Sequence, residues 1–337
     1  MKIVTKALLG AGALALMSGM ASAADLACLI TKNNTNPFFV KMKEGAEAAA
    51  TAAGLDFQAY GGEKDGDAAP QITAIENCVA AGAKGILITP SNDSVGPALK
   101  DARAAGILVI ALDTPLADSE AQDITFATDN FEAGILIGKW AAATLGEGAA
   151  TAKIAMLNIN KDNISVDVQR NTGFLTGFGI EVPDLTVLAS ENDPRVIGHE
   201  SSDANPEGGL RAMETLLAKD PDINVVYTIN EPAAEGAFQA LKNAGKEGQA
   251  IIVSVDGGCP GVASVKSGVI GATSQQYPLK MASLGIEAIA AFAKDGTRPT
   301  VTEGLSFYNT GVNLVTDKPV EGVPSIDTTE GANLCWG

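Results

Sequence analysis

Histidine occurs once in the 337 residues, aromatic side chains make up 5%, and basic residues number 23 against 40 acidic ones. The single histidine, His199, cannot supply a His-rich metal site. A formal charge of −17 repels phosphate backbones and anionic lipids, so nucleic acid and membrane surfaces are poor partners. Enzyme signatures are missing as well: the chain has no P-loop, no Gly-x-Ser-x-Gly elbow and no His-Glu-x-x-His. The acidic stretch Glu63-Lys64-Asp65-Gly66-Asp67 lacks the repeated oxygen ligands of an EF-hand. Neither metal nor cofactor is expected, and no catalytic residue is assigned. Beyond residue 23 no run of about 18 apolar residues occurs, which argues against a membrane span.

The first 23 residues read as an export signal. Lys2 and Lys6 give a positive start, residues 7–17 an apolar core, and Ala21-Ser22-Ala23 a small-residue cleavage site. Cleavage after Ala23 leaves 314 residues with 21 basic and 40 acidic side chains, a net charge of −19. That length suffices for two domains with sizeable cores. All four cysteines, Cys28, Cys78, Cys259 and Cys335, fall in the exported part. In an oxidising compartment they permit two disulfides in three possible pairings. Pairing Cys28 with Cys78 and Cys259 with Cys335 keeps each bridge within one half of the chain, and free buried thiols are the alternative.

What the chain has in quantity is β-branched runs alternating with Ala-rich amphipathic stretches, and one such unit is repeated. Residues 86–113 and 225–256 each run from an apolar strand through a loop with Thr, Asn and Pro to a helix carrying Ala-Leu-Lys. Each then closes on a second apolar run ending in aspartate, Asp113 or Asp256. Strands are expected at 26–30, 55–60, 85–89, 108–112 and 124–127, then at 153–158, 186–189, 225–228, 251–255 and 270–274. Such alternation predicts an α/β protein with two doubly wound parallel-sheet lobes joined by a multi-strand hinge. The chain is expected to cross between lobes at Thr128-Asp129, ahead of a helix over 131–145, and again near Gln275-Gln276-Tyr277-Pro278. A third crossing falls within 308–315. The first lobe then comprises 24–128 plus 277–309, and the second 129–276 plus 310–337. The polar segment 191–205, containing His199, reads as a surface loop with a solvated histidine.

Ligands of open parallel sheets bind beyond the strands' C-terminal ends. Asn36-Pro37-Phe38-Phe39 follows the first strand, and Asp113, Arg170, Asn230 and Asp256 lie at the same edges. Phe rings suit the apolar face of a sugar, while Asp and Asn suit its hydroxyl rim. Each has a structural alternative. Phe38 and Phe39 fit a core, with Phe39 the more buried. Asp113, Asp256 and Asn230 fit helix caps, as does Asn36, and Arg170 an exposed salt bridge.

Taken together, Asn-Pro-Phe-Phe after the first strand, Leu-Asp closing the fourth, Arg-x-x-Gly-Phe, Asn-Glu-Pro and Val-Asp-Gly resemble the periplasmic ribose-binding-protein family. These are sugar-capturing subunits of ABC importers with the type I periplasmic-binding-protein fold. Thr-Lys-Asn-Asn-Thr-Asn-Pro-Phe-Phe, Asn-Thr-Gly-Val-Asn-Leu-Val-Thr-Asp-Lys-Pro-Val and Cys-Trp-Gly look most like fructose-importer members. The resemblance implies a periplasmic, monomeric clamp closing on a monosaccharide: fructose first, with ribose or mannose as alternatives. Asn36, Phe38, Phe39 and Asp113 would line one side; Arg170, Asn230 and Asp256 the other, with Gln276 at the hinge. A membrane permease is the implied partner, and a chemoreceptor is a further one. Two departures stand out. Thr114 occupies the place of an Arg in the ribose binders, and Ala204 falls where a second-lobe aromatic is expected. Both imply a roomier pocket, suited to a hexose. The rival functions are an exported carbohydrate-active enzyme using Asp113 and Asp256, and a sugar-sensing receptor module.

Overall fold

The computed structural model describes residues 24–63 and 66–337; the expected export signal, with Lys64 and Asp65, lies outside them. The chain first builds β1 (Leu26–Thr31), α1 (Pro37–Ala53), β2 (Asp56–Gly61), α2 (Ala69–Ala80), β3 (Gly85–Ile88), α3 (Gly96–Ala104), β4 (Leu108–Leu112) and β5 (Ile124–Ala127). It continues through α4 (Asn130–Leu145), β6 (Ile154–Asn158), α5 (Ser165–Phe178), β7 (Val196–Ser201), α6 (Pro206–Lys219) and β8 (Val225–Thr228). Then follow α7 (Glu231–Asn243), β9 (Ile251–Asp256), α8 (Cys259–Ser267) and β10 (Ala272–Gln275). The last elements are α9 (Pro278–Asp295), β11 (Tyr308–Asn309), β12 (Asn313–Val315) and α10 (Thr328–Leu334).

Two six-stranded sheets result, ordered 2-1-3-4-5-11 and 7-6-8-9-10-12. All pairings are parallel except β10 with β12. The repeated sequence units are β3–α3–β4 and β8–α7–β9, which hold the same places in the two sheets. Each sheet is covered on both faces, so its strands are apolar runs rather than alternations. Leu29, Leu87 and Ile110 pack under α1 and α9 on one face of the first sheet, while Ile30, Ile86 and Val109 pack toward α2 and α3 on the other.

Local chemistry fixes the ends that matter. Asn36 caps α1 by accepting from the Phe38 amide at 2.9 Å, Pro37 fills the first helical position, and Gly54 at φ 70° ends it. In the second lobe α4 and α5 approach closely because glycines face backbone. A Cβ on Gly138 would stand 2.9 Å from the Phe178 nitrogen, and one on Gly173 3.1 Å from the Phe131 carbonyl carbon. That close crossing sets Arg170, in α5, against the start of α4. Disulfides join Cys28 of β1 to Cys78 of α2, and Cys259 of α8 to Cys335 beyond α10.

Two expectations are corrected here. Residues 186–189 form no strand: the Asp184 carboxylate accepts from the Thr186 amide and hydroxyl, folding the segment into a turn. The strand lies ten residues on, as β7, inside the segment read as a loop. It is an edge strand, half-buried along its whole length and paired only with β6, so Val-Ile-Gly-His-Glu-Ser shows no apolar run. His199 on this strand is not solvated. Its Nε2 lies 2.6 Å from Glu191 Oε1 and its Nδ1 3.0 Å from Asn158 Nδ2. Burial acts to raise the Glu191 carboxyl, but the His199 hydrogen bond and charge hold it below the ordinary range.

Candidate functional site

The C-terminal ends of β1, β3 and β4 face those of β6, β8 and β9 across the gap between the lobes. Residues 90–93 and 114–117 from the first lobe and 162–165 from the second line a cleft of about 290 Å³ there. Neither acid lines that cleft: Asp113 immediately precedes its Thr114, and the charge of Asp113 reaches Asp256 on the other side of the gap. Asp113 is buried directly after β4, at φ 64°, and Asp256 closes β9 at φ 142°. Neither caps a helix: the short turn after Asp113 is capped by Asp118, and α8 starts from Gly258 without a side-chain cap. The capping alternative fails for both.

In the second lobe Asp256 Oδ1 accepts from Gln276 Nε2 at 2.8 Å and lies 3.7 Å from Arg170 Nη1. Arg170 is not an exposed ion-pair partner, nor does it precede its helix; it is buried within α5. Its Nε donates to Asn130 Oδ1 at 2.8 Å and its Nη1 to the Ile229 carbonyl at 3.0 Å. Asn130 opens α4 immediately after Thr128 and Asp129, and Asp129 caps that helix by accepting from the Glu132 amide. The guanidinium therefore ties the first crossing to the acid at the cleft.

Burial pushes the Asp256 carboxyl up to about 6; Arg170 and Gln276 oppose the shift, and the charge of Asp113 across the cleft adds to it. Beneath it, Glu231 accepts from the Gly257 and Gly258 amides at 2.8 and 3.1 Å and from Thr273 Oγ1 at 2.7 Å. Burial, then Asp256, push Glu231 up to about 8. Glu231 thus pins the turn that presents Asp256. Gln275 supports the same turn from below, donating to the carbonyls of Gly257 and Gly331. Three acceptors among these side chains, Asp113 Oδ1, Gln275 Oε1 and Gln276 Oε1, have no protein donor. Buried polar atoms are normally paired, so Asp113 and Gln276, the latter bonded to Asp256, hold capacity for a further donor.

Other expected residues divide. Phe38 and Phe39 are both buried, at 6% and 5% exposure, so the expected difference between them is absent. Their rings meet edge to face at 5.4 Å, and Phe38 also meets Trp336 at 5.3 Å. Asn230 is a cap: its Oδ1 accepts from Ala233 N while its Nδ2 donates to the Ala204 carbonyl. Asn36 is likewise engaged as the α1 cap.

Sequence reasoning missed Lys32 and Trp336. Lys32 is buried, and its Nζ donates to Thr114 Oγ1 at 3.1 Å, whose hydroxyl donates to Asp113 Oδ2 at 2.9 Å. A cation beside Asp113 is thus supplied from the end of β1 rather than from position 114. A lysine directly after an almost wholly buried strand was the available signal. Among the described residues no cluster of His, Cys, Asp and Glu is arranged to hold a metal, and no helix is long and apolar enough to cross a membrane.

The periplasmic binding protein domain model matches residues 27–297. The ribose import binding protein RbsB of Escherichia coli (strain K12) is 31% identical over 274 residues, 81% of this chain and 86% of that protein. Its counterpart in Haemophilus influenzae is 33% identical over 271 residues, 80% of this chain and 86% of that protein. A carbohydrate transporter solute binding protein from Agrobacterium radiobacter, solved in complex with D-arabinose, superposes with a TM-score of 0.72 at 26% identity, covering 88% of this chain and 95% of that one. These relatives are binding proteins rather than enzymes, and the reading of Asp113 and Asp256 as a hydrolytic pair falls with that. The chain belongs to the periplasmic binding proteins, within the ribose-binding family of ABC sugar-importer binding proteins.

Proposed function

We propose that this chain captures a monosaccharide between its two lobes in the periplasm and delivers it to the membrane permease of an ABC importer. The carrying observation is the pair of acids, buried Asp113 and half-buried Asp256, one from each lobe, with unpartnered acceptors at Asp113 Oδ1 and Gln276 Oε1. Sugar hydroxyls donating to ionised carboxylates form charge-assisted bonds of about 1.5–3 kcal/mol net each. Phe38 supplies an apolar face beside them, and Arg170 a donor for ring or hydroxyl oxygens. Contacts from both lobes form only when the lobes meet, so the sugar favours the closed arrangement by its differential affinity.

Residues 128–129, 276–277 and 309–310 are the three strands of the hinge in this reading, and residues 1–23 direct export and are cleaved off after Ala23. Fructose is the first ligand to test, on the sequence features shared with fructose-importer members, followed by ribose and mannose. The place of an Arg beside Asp113 is taken by Thr114 with Lys32 behind it, and Ala204 stands where an aromatic is expected. Both changes favour a ligand larger than the ribose named for the relatives. Calorimetric titration of the exported form against a monosaccharide panel decides the matter. A saturable one-to-one isotherm is expected with at least one sugar, and fructose binding tighter than ribose supports the finer assignment. Silence with every sugar, in heat and in thermal shift, overturns the reading.

A further inference from the structure

Trp336 belongs by its backbone to one lobe and by its ring to the other. Residues 335–337 follow α10, which lies against α8; Gly331 of α10 abuts Val315 of β12 and Val262 of α8. The Cys259–Cys335 disulfide fastens this segment to the start of α8, and the Cys259 amide donates to the Trp336 carbonyl at 2.8 Å. Trp336 Nε1 donates to the Gln276 carbonyl at 2.8 Å, at the crossing between lobes. Every covalent and hydrogen-bonded attachment named thus comes from the second lobe or the crossing. Yet the indole is only 6% exposed because it enters the first lobe's apolar cluster, edge to face with Phe38 at 74°. Gly337 approaches Pro37 as well, with a Cβ placed on it 4.0 Å from Pro37 Cβ.

Two of the groups that the indole meets, Phe38 and Gln276, lead to the cleft. Phe38 is the apolar wall on the first-lobe side. Gln276, whose carbonyl the indole holds, carries the amide that donates to Asp256. We infer that Trp336 is a positioning residue of the sugar site and a latch between the lobes, pinned by the Cys259–Cys335 disulfide. Separation of the lobes strips Phe38 from the indole and wets both rings; closure reburies them. Aromatic pairs of this geometry favour the joined state beyond their area alone. This rests on the sugar-binding reading above for its effect on affinity, but not for its effect on the lobes.

The chain's other tryptophan, Trp140, is 1% exposed in the second lobe's core, with its Nε1 bonded to the Lys318 carbonyl. Changes in indole quenching therefore report Trp336. The wild type, W336F, W336A and the double variant C259A/C335A are compared by acrylamide quenching, by titration with the sugar that the wild type binds, and by small-angle scattering without sugar. Saturating sugar is expected to abolish the quenchable fraction in the wild type. W336A should weaken sugar binding at least tenfold and C259A/C335A at least threefold, while W336F, which keeps a ring, stays within threefold. Without sugar, W336A should show a larger radius of gyration than the wild type. If W336A does not fold, W336L takes its place. Wild-type affinity in W336A, or sugar-independent quenching, overturns the latch as an affinity device. An unchanged sugar-free radius of gyration overturns it whether or not any sugar binds, whereas a wild type that binds no sugar but opens on W336A contradicts only the functional reading.

Discussion

Asp113 and Asp256 stand at the ends of equivalent strands, β4 and β9, and both hold backbone conformations with positive φ, 64° and 142°. Side chains other than glycine adopt such conformations at a cost of about 1–3 kcal/mol. Two matching costs at facing positions are hard to attribute to packing, since neither residue caps a helix. They aim a carboxylate from each lobe into the gap.

Asparagine at these positions keeps the shape and tolerates the backbone, while removing the charge. D113N and D256N are each expected to weaken sugar binding at least tenfold, about 1.4 kcal/mol, with unchanged circular dichroism. Calorimetry checks this. Unaltered affinity in both would show that the acids serve only the turn geometry.

Affinity should follow the ionisation of Asp256. Burial has pushed its carboxyl up to about 6, so much of it is protonated at pH 5 and ionised at pH 7. A hydroxyl donor binds the ionised form more strongly, and affinity is expected to rise across that interval. D256N should flatten the dependence, measured by titration at four pH values.

Stability without ligand should show the opposite trend. Asp167 opens α5 fully buried, and burial raises its carboxyl to about 7 despite the Ile159 amide and Arg170. A carboxyl raised in the folded state binds more protons there than in the unfolded chain between about pH 4 and 7. Its contribution to stability therefore falls as pH rises through that window. D167N, which retains an acceptor for the Ile159 amide, is expected to raise the melting temperature at pH 8 more than at pH 5. Equal shifts at both pH values would remove Asp167 as the cause.

Lys32 reaches Asp113 only through Thr114 Oγ1. K32M keeps the buried stem and removes the ammonium, and a loss of about tenfold in sugar affinity is expected, near the lower end for bonds to charged groups. Titration of K32M beside T114V checks the relay: both should weaken binding, and K32M alone doing so would mean that Lys32 acts on the sugar without the hydroxyl.

The architecture was readable because parallel sheets covered on both faces leave apolar runs and helical stripes. The β3–α3–β4 and β8–α7–β9 echo marked two alike sheets with an acid at the same edge of each. What escaped has a common physical origin. Strand β7 lies at a sheet edge, so its composition is that of a loop. Glu231 carries no local sign of burial in Asn-Glu-Pro, yet it lies buried under Asp256, held by three donors. Lys32 and Trp336 gain their places from contacts 82 and 298 residues away, to Thr114 and Phe38. Nothing in the local pattern reports such contacts. Asn230 and Asn36 show the converse: good local signals for caps, and caps are what they are.

In the proposed clamp the two lobes close on a sugar gripped from both sides. Small-angle scattering of the exported form with and without saturating sugar tests this most directly, with D113N as the comparison. The radius of gyration should fall on addition of sugar to the wild type and fall less in D113N at the same concentration. A wild type that binds sugar with no change in its scattering would contradict the clamp.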